Sequence, residues 1–292
     1  MNEQYHTSSI YDLIMEREYR FAEFLRAARL IVEHPSILQC KATRQIVDVP
    51  WYERVYFLAQ RNMMLVRNST LPEGLLGIVL RKNLEWKGQS RGLFLVKTAK
   101  LKDVVAEQFV IAHEIGHILL HGRLMQPGMV LKESDSSYRA QDDERRQLAE
   151  LEANIYALLS VIPAGAIGAL DDVLGRPVYA AELAEAMSRV TERHFGVQLA
   201  KERLVLHHVL RGECSADEFY ATILLEERSW TRHGAAGMLE RQAARVTQAK
   251  TLPDELFERW KRKLLERDIL ELPRHAARSA TPLLRQDSAT HD

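Results

Sequence analysis

The segment from Lys102 to Leu120 constrains the fold of this chain more than any other part of its sequence. Wound as an α-helix, it presents apolar side chains on nearly every face, which is typical of a helix buried in a core rather than lying on one. Gly122 follows the segment and would end the helix. The apolar positions are Val104, Val105, Phe109, Val110, Ile111, Ile115, Ile118 and Leu119.

Three polar residues interrupt this apolar helix, in the order His113-Glu114-Ile-Gly-His117. Because the two histidines are about one helical turn apart, both imidazoles lie on one face and can share a metal ion. Glu114 lies about 100° around the helix, where it can reach a water without being a ligand, as the general base of zinc hydrolases does. Burying three polar groups is costly unless something satisfies them. The segment therefore predicts a zinc site, with two hydrogen-bonded core histidines as the alternative.

A catalytic zinc needs a third protein ligand and one open position. Glu150 opens the next predicted helix and shares a face with Asn154. Two alanines on that face, Ala153 and Ala157, would let this helix approach the histidine helix closely. Glu152 points about 160° away from Glu150. We therefore expect Glu150 to be the third ligand and Asn154 to orient a metal-binding imidazole. A solvated glutamate favoured by the helix dipole is the alternative for Glu150.

Together these two segments resemble the ImmA/IrrE family of bacterial and phage metallopeptidases. The first is Phe109-Val-Ile-Ala-His-Glu-Ile-Gly-His-Ile-Leu-Leu-His121, and the second is Glu150-Leu-Glu-Ala-Asn-Ile-Tyr-Ala-Leu-Leu159, which ends near Pro163. The resemblance covers roughly Gly77 to Gly212. It implies a zincin-like catalytic domain with a zinc-bound HExxH helix, a third Glu ligand on the following helix and a small sheet before them.

Members of that family cut helix-turn-helix repressors and so switch on phage, mobile-element or stress-response genes. The resemblance therefore implies a zinc-dependent endopeptidase with one Zn²⁺ per chain, in which Glu114 is the general base. Its expected partner is a protein substrate, namely a helix-turn-helix repressor or a similar regulator. Two other functions stay open. One is a catalytically silent, metal-bound protein that sequesters a repressor, and the other is a toxin-like metal-dependent hydrolase of a different substrate.

A zinc protease also needs a hydrogen-bond donor for the oxyanion that develops during catalysis. His121, Tyr138, Arg139 and Tyr156 are the candidates for this role or for lining the cleft, and their spacing does not choose among them. For His121, which lies one turn beyond the second metal-binding histidine, the alternative is a cap that interacts with the dipole at the helix C-terminus.

Upstream of the histidine helix the sequence predicts a small antiparallel sheet. Its strands are three short apolar or β-branched runs, Met63–Arg67, Leu76–Leu80 and Gly92–Thr98. Within the third run, Leu93–Lys97 is the expected template on which an extended substrate pairs by main-chain hydrogen bonds. Further upstream, apolar residues recur at helical spacing from Ser8 to about Glu33, which predicts an amphipathic helix.

Downstream the chain is predicted to be mainly helical, which makes the whole an α+β protein with helical N- and C-terminal regions. The expected domains are residues 1–46 (an amphipathic helix and arm), 47–212 (a zinc metallopeptidase domain), 213–280 (a helical region) and 281–292 (a disordered tail). The predicted helices run from about Arg145 to Ser160, from Ala180 to Leu210 with a break at Gly196, from Asp217 to Arg228, and along Leu239–Leu272 with an apolar stripe of Leu256, Trp260 and Leu264.

Composition narrows the partners and the compartment. Forty Lys and Arg residues balance forty Asp and Glu residues, so no global positive field favours direct binding to nucleic acid. No apolar run is long enough to cross a bilayer, and the first residues lack the features of a signal peptide, so no membrane association is expected. Cys40 and Cys214 fit no metal or redox spacing, and we expect both to be reduced thiols in a cytoplasmic protein.

Overall fold

The computed structural model describes residues 21–34, 46–47, 62–72, 75–86, 89–123, 130–131, 143–212 and 252–271. Within these ranges the chain is an α+β protein in which helices predominate, as the sequence predicts. The helices are α1 (Phe21–Glu33), α2 (Val104–His121), α3 (Asp143–Val161), α4 (Ala164–Leu174), α5 (Ala180–Thr191), α6 (Val197–Arg211) and α7 (Asp254–Glu266). The strands are β1 (Ile46–Val47), β2 (Met63–Val66), β3 (Gly77–Trp86), β4 (Gln89–Thr98), β5 (Val130–Leu131) and β6 (Leu270–Glu271).

The main sheet is mixed, so the prediction of an antiparallel sheet is wrong. β3 and β4 form an antiparallel hairpin in which Trp86 pairs with Gln89 and Gly77 pairs with Thr98. β2 lies on the other side of β4 and runs parallel to it, while the two-residue β5 pairs with the first part of β3. Turn residues indicate only which consecutive strands form a hairpin. Turn residues do not indicate that β4 lies between β2 and β3 in the sheet.

β4 is an inner strand, because the order of the sheet is β2-β4-β3-β5. Its backbone pairs with β2 on one side and with β3 on the other. The segment Leu93–Lys97 consequently has no free edge, and the expectation that it pairs with an extended substrate is wrong. Among the described residues, 81–86 of β3 pair with β4 alone, so this part of β3 forms an edge of the sheet. A short parallel pair of β1 and β6 lies apart from this sheet.

α2 begins and ends within two residues of its predicted bounds. Asp103 caps its N-terminus, where the carboxylate accepts hydrogen bonds from the backbone N–H groups of Val105 (2.8 Å) and Ala106 (3.4 Å). These donors would otherwise lack a partner in the first helical turn. Every residue from 110 to 118 is buried, so α2 is a core helix, as its apolar composition predicts.

Two hydrophobic cores hold these elements together. The first lies where α1, α2, α3 and α6 meet the sheet, and the second joins α4, α5, α6 and α7. Trp260 of α7 is fully buried in the second core and donates a hydrogen bond from Nε1 to the carbonyl oxygen of Ala166 (2.9 Å). α7 docks through Phe257, Trp260 and Leu264, while the predicted stripe residue Leu256 is only partly buried beside them.

α4 is absent from the helices that the sequence predicts, because the sequence pattern indicates only that Pro163 ends the preceding helix. Pro163 instead lies directly before the first residue of α4, a position that tolerates its missing N–H. The helices predicted from about Arg145 to Ser160 and on either side of Gly196 are present as α3, α5 and α6. Other predicted features lie outside the described residues: residues 8–20 of the N-terminal helix, Asp217–Arg228, residues 239–251, the tail from residue 281, Cys40 and Cys214.

Among the described residues, no single helix has the length and apolar composition needed to cross a membrane. Leu148–Val161 and Ala164–Leu174 meet those criteria only when taken together, as a pair bent by 53°.

Glu182 fixes the start of α5. Its Oε2 accepts hydrogen bonds from the backbone N–H of Tyr179 (3.0 Å) and from Arg176 Nη1 (3.0 Å), and its Oε1 accepts one from Arg176 Nη2 (2.6 Å). Burial alone would raise the pKa of Glu182, but these hydrogen bonds and the charge of Arg176 hold that pKa below its ordinary value. A carboxyl group with a lowered folded-state pKa adds stability above its unfolded pKa, and this contribution is lost as the pH falls through the folded pKa.

Glu182→Gln is therefore expected to lower the free energy of unfolding by about 1–2 kcal/mol at pH 7, as is typical for a hydrogen-bonded charge. The difference from the wild type should begin to shrink as the pH falls through the ordinary glutamate pKa of about 4.3, because the unfolded chain then takes up a proton. It should vanish once the pH lies below the lowered pKa of the folded carboxyl group. Urea unfolding at several pH values measures both effects, with the exposed Glu255→Gln of α7 as the control. A loss of stability that does not depend on pH would contradict this role of the Glu182 charge.

Candidate metal centre

Two imidazoles of α2 and one carboxylate of α3 converge. The Nε2 atoms of His113 and His117 lie 3.0 Å apart. Glu150 Oε2 lies 3.1 Å from His113 Nε2, and Glu150 Oε1 lies 3.4 Å from His117 Nε2. One ligand atom of each residue lies within 4.8 Å of the others, which is close enough to hold a metal ion. The three ligands predicted from the sequence are thus brought together.

Asn154 orients one of the imidazoles. Its Oδ1 accepts a hydrogen bond of 2.8 Å from His113 Nδ1, and both side chains are buried. Because an amide oxygen can only accept, His113 donates from Nδ1, and its other ring nitrogen, Nε2, lies towards Glu150 and His117. This is the way in which metal-ligating histidines are commonly held by their surroundings. Asn154 therefore lies beside a metal-binding imidazole, as the helical periodicity predicts.

Small residues let α3 approach α2 closely enough for this arrangement. A Cβ atom on Gly116 would lie 3.2 Å from Ala153 Cα and 3.0 Å from Tyr156 Cδ1, so the two helices are nearly in contact at this glycine. Ala153 and Ala157 are fully buried at the contact. Glu150 lies one turn before Ala153, which brings its carboxylate to the imidazoles across the short gap between the helices.

Glu152 contacts α2 as well, on the other side of the line along which the helices meet. Its Oε2 lies 2.7 Å from His121 Nε2. The helical geometry correctly separates Glu152 from Glu150, yet Glu152 also reaches α2. The line of contact runs through Ala153. Glu150 and Glu152 therefore lie on opposite sides of it, and Glu150 reaches His113 and His117, whereas Glu152 reaches His121. His121 is therefore held by a carboxylate.

Burial and charge set the protonation states of the ligands. Burial lowers the pKa of His117 and outweighs the opposite effect of the Glu150 charge. Burial would raise the pKa of Glu150, but the charge of His117 and the hydrogen bonds from His113 and His117 outweigh it and hold the pKa well below its ordinary value. The lowered pKa values favour a neutral imidazole for His117 and an ionised carboxylate for Glu150, which are the forms that bind metals.

Glu114 is buried beside the ligands but is not one of them. Its side chain lies against the first residue of β3: a Cβ atom on Gly77 would lie 2.8 Å from Glu114 Cγ, 2.9 Å from Cδ and closer still to Oε1. The carboxyl group is thus held between α2 and the first residue of β3. The sequence does not indicate that Glu114 lies against Gly77, because this contact depends on how the sheet packs on α2.

The candidate residues for oxyanion stabilisation differ in where the structure places them. Tyr138 and Arg139 lie outside the described residues. Tyr156 is fully buried in the first core, where it packs against Gly116. His121 is partly exposed and paired with Glu152. Of the three tyrosine and histidine candidates, His121 is thus the one that the structure describes near the protein surface.

Comparison with known proteins gives no relative of this chain: no family model, no curated protein and no solved structure matches it. Its function must therefore be inferred from the site itself.

Proposed function

We propose that this chain is a zinc-dependent endopeptidase whose metal ligands are His113, His117 and Glu150. The observation that carries the proposal is the size of the ligand triangle, which is formed by the Nε2 atoms of His113 and His117 and the carboxylate of Glu150. With zinc–ligand bonds of about 2.0–2.1 Å, neighbouring donors of a regular tetrahedron lie about 3.3–3.4 Å apart. The two Nε2 atoms lie 3.0 Å apart. The Glu150 carboxylate lies 3.1 Å from His113 Nε2 through Oε2 and 3.4 Å from His117 Nε2 through Oε1, and one ligand atom from each of the three residues lies within 4.8 Å of the others. These donors would fill one face of a zinc tetrahedron and leave the fourth position open.

The types of ligand support a catalytic role over a structural one. Structural zinc sites are closed by four protein ligands and are usually rich in cysteine, whereas catalytic sites commonly have three ligands, such as two histidines and a glutamate. A zinc ion bound here would act as a Lewis acid, lowering the pKa of water and polarising the scissile carbonyl. The packing of the HExxH helix between a small sheet and the helix that carries Glu150 supports a zincin-like fold.

Glu114 supplies the proton transfer in this proposal. Its carboxylate directly follows a ligand in sequence, is buried, and does not belong to the ligand triangle. It accepts the proton of the attacking water and passes it to the leaving amine, which is general acid–base catalysis. Asn154 keeps the His113 ring in the orientation and tautomer that direct Nε2 to the ligand triangle.

The proposed substrate is a protein, and the resemblance of α2 and α3 to ImmA/IrrE peptidases favours a helix-turn-helix repressor. In this proposal the chain regulates transcription by removing a repressor, without binding nucleic acid itself. The equal numbers of basic and acidic residues support that division of roles, since no general excess of positive charge is available for phosphate contacts.

Incubation of the zinc-loaded, full-length chain with helix-turn-helix regulators from the same organism tests this function. We expect a discrete cleavage product that appears with zinc-loaded protein and is absent after treatment with a chelator and dialysis. Mass spectrometry of the fragments then locates the cleaved bond. A stable complex without cleavage would contradict the proposal and favour the catalytically silent repressor-binding protein. Neither binding nor cleavage would contradict the repressor as substrate.

A further inference from the structure

Gly77 occupies a position at which a side chain has no room. It is the first residue of β3 and pairs with Thr98 of β4. The three atoms nearest to a Cβ placed on Gly77 all belong to one residue, Glu114, and all lie closer than 3 Å. Real Cβ atoms essentially never approach neighbours that closely. The volume that an alanine would need at this position is therefore the volume that the Glu114 side chain fills.

The backbone offers no other reason for a glycine here. Among the described residues, the glycines with positive φ are Gly175 and Gly212, so Gly77 does not need the left-handed conformation that glycine favours. An alanine at this position would keep the backbone geometry of the strand. What it would disturb is the neighbouring side chain.

α2 itself has little room to retreat from such a Cβ atom. On the side that faces α3, a Cβ atom on Gly116 would lie only 3.0 Å from Tyr156 Cδ1 and 3.2 Å from Ala153 Cα, so the two helices are already close there. A movement of the whole helix would therefore compress a second tight contact. The flexible side chain of Glu114 is the part that can move, and its movement would take the carboxylate away from the position against Gly77 that it now occupies.

We infer that Gly77 is a positioning residue: its missing side chain leaves the space that holds the Glu114 carboxylate beside the metal ligands. The role of this carboxylate as a base rests on the proposed function, whereas the steric relation between the two residues does not. Gly77→Ala should consequently preserve the ligand triangle and displace the base.

A double-mutant cycle tests the inference without any substrate. Thermal unfolding of the zinc-loaded full-length chain is compared for Gly77→Ala in the wild-type background and in the Glu114→Ala background. Overpacking of this kind should lower Tm by roughly 4 °C when Glu114 is present. In the Glu114→Ala background, where the space is vacated, the same change should leave Tm unchanged or raise it, because alanine restricts the unfolded chain more than glycine does.

Gly92→Ala in β4 is the matched control. A Cβ atom at Gly92 would lie 3.6 Å from Arg81 Nε and Nη2, which is ordinary van der Waals contact. Its effect on Tm should be small and equal in both backgrounds. A fall in Tm for Gly77→Ala that is the same with and without Glu114 would overturn the inference, and so would a failure of Gly77→Ala to fold in both backgrounds.

The visible absorption spectrum of Co²⁺-loaded protein gives a second readout that a general loss of stability would not change. A displaced carboxylate alters the surroundings of the open coordination position, so Gly77→Ala should change the Co²⁺ spectrum in the wild-type background and leave it unchanged in the Glu114→Ala background. An unchanged spectrum in both would overturn the inference.

If both readouts couple Gly77 to Glu114 while Glu114→Gln still cleaves substrate, the inference holds and the proposed function fails. If cleavage needs Glu114 but the coupling is absent, the inference alone fails.

Discussion

Glu114→Gln is expected to retain one zinc per chain and to lose cleavage by at least about 10²–10⁴-fold, the usual contribution of general acid–base catalysis. The amide keeps the size and shape of the carboxylate, so it still fits against Gly77 and leaves the three ligands untouched. It cannot accept the proton of water. Rates of repressor cleavage with matched zinc content measure the loss, and a variant that cleaves at the wild-type rate would show that Glu114 is not the base.

Glu107→Gln on the same helix is the matched control for this prediction. Glu107 is also buried, but its carboxylate pairs with the guanidinium of Arg67, two turns before the metal ligands. Neutralising it should lower stability because the Arg67 partner is lost. At a temperature where the variant is folded, cleavage should continue. A comparable loss of cleavage in both variants would indicate that any buried charge on α2 matters, and would contradict a specific role for Glu114.

Glu150→Ala is expected to weaken zinc binding by much more than the approximately 10- to 100-fold typical of losing a residue that only orients a ligand. Glu150 contributes one of the three donors, and its loss leaves two imidazoles to hold the metal. Asn154→Ala should fall within the 10- to 100-fold range, because His113 keeps its Nε2 but loses the hydrogen bond that fixes its ring. Competition titration against a zinc chelator measures both affinities.

Glu152→Ala is the matched control, since Glu152 lies on the same helix two residues away and also faces α2. Its carboxylate contacts His121 and lies outside the ligand triangle. Zinc affinity should therefore stay near that of the wild type. A loss of zinc confined to Glu152→Ala would contradict the ligand assignment and the helix register on which it depends.

The metal ligands could be predicted from the sequence because each step of that prediction is local. His113 and His117 lie on one face of a helix whatever the rest of the chain does, and the apolar residues around them indicate that the helix is buried. Glu150 and Asn154 follow from the same periodicity on the next helix. The structure adds that Gly116 and Ala153 bring the two helices together.

The features that escaped the sequence analysis depend on long-range packing. The position of β4 between β2 and β3 is decided by how the sheet assembles, so the consecutive turns did not indicate it. The contact of Glu152 with His121 depends on where α2 and α3 meet. α4 was missed because Pro163 can equally end one helix or precede another, and only the packing of Ala166, Ile167 and Leu170 in the second core favours the second outcome.

The metal content of the purified full-length chain tests the central claim most directly. After repletion and removal of loosely bound ions, elemental analysis should find close to one zinc per wild-type chain and close to none in His113→Ala or His117→Ala, which lose a donor of the triangle. The exposed His194→Ala should keep its zinc. Wild-type protein that holds no zinc, cobalt or manganese after this treatment would contradict the claim that these residues form a metal centre.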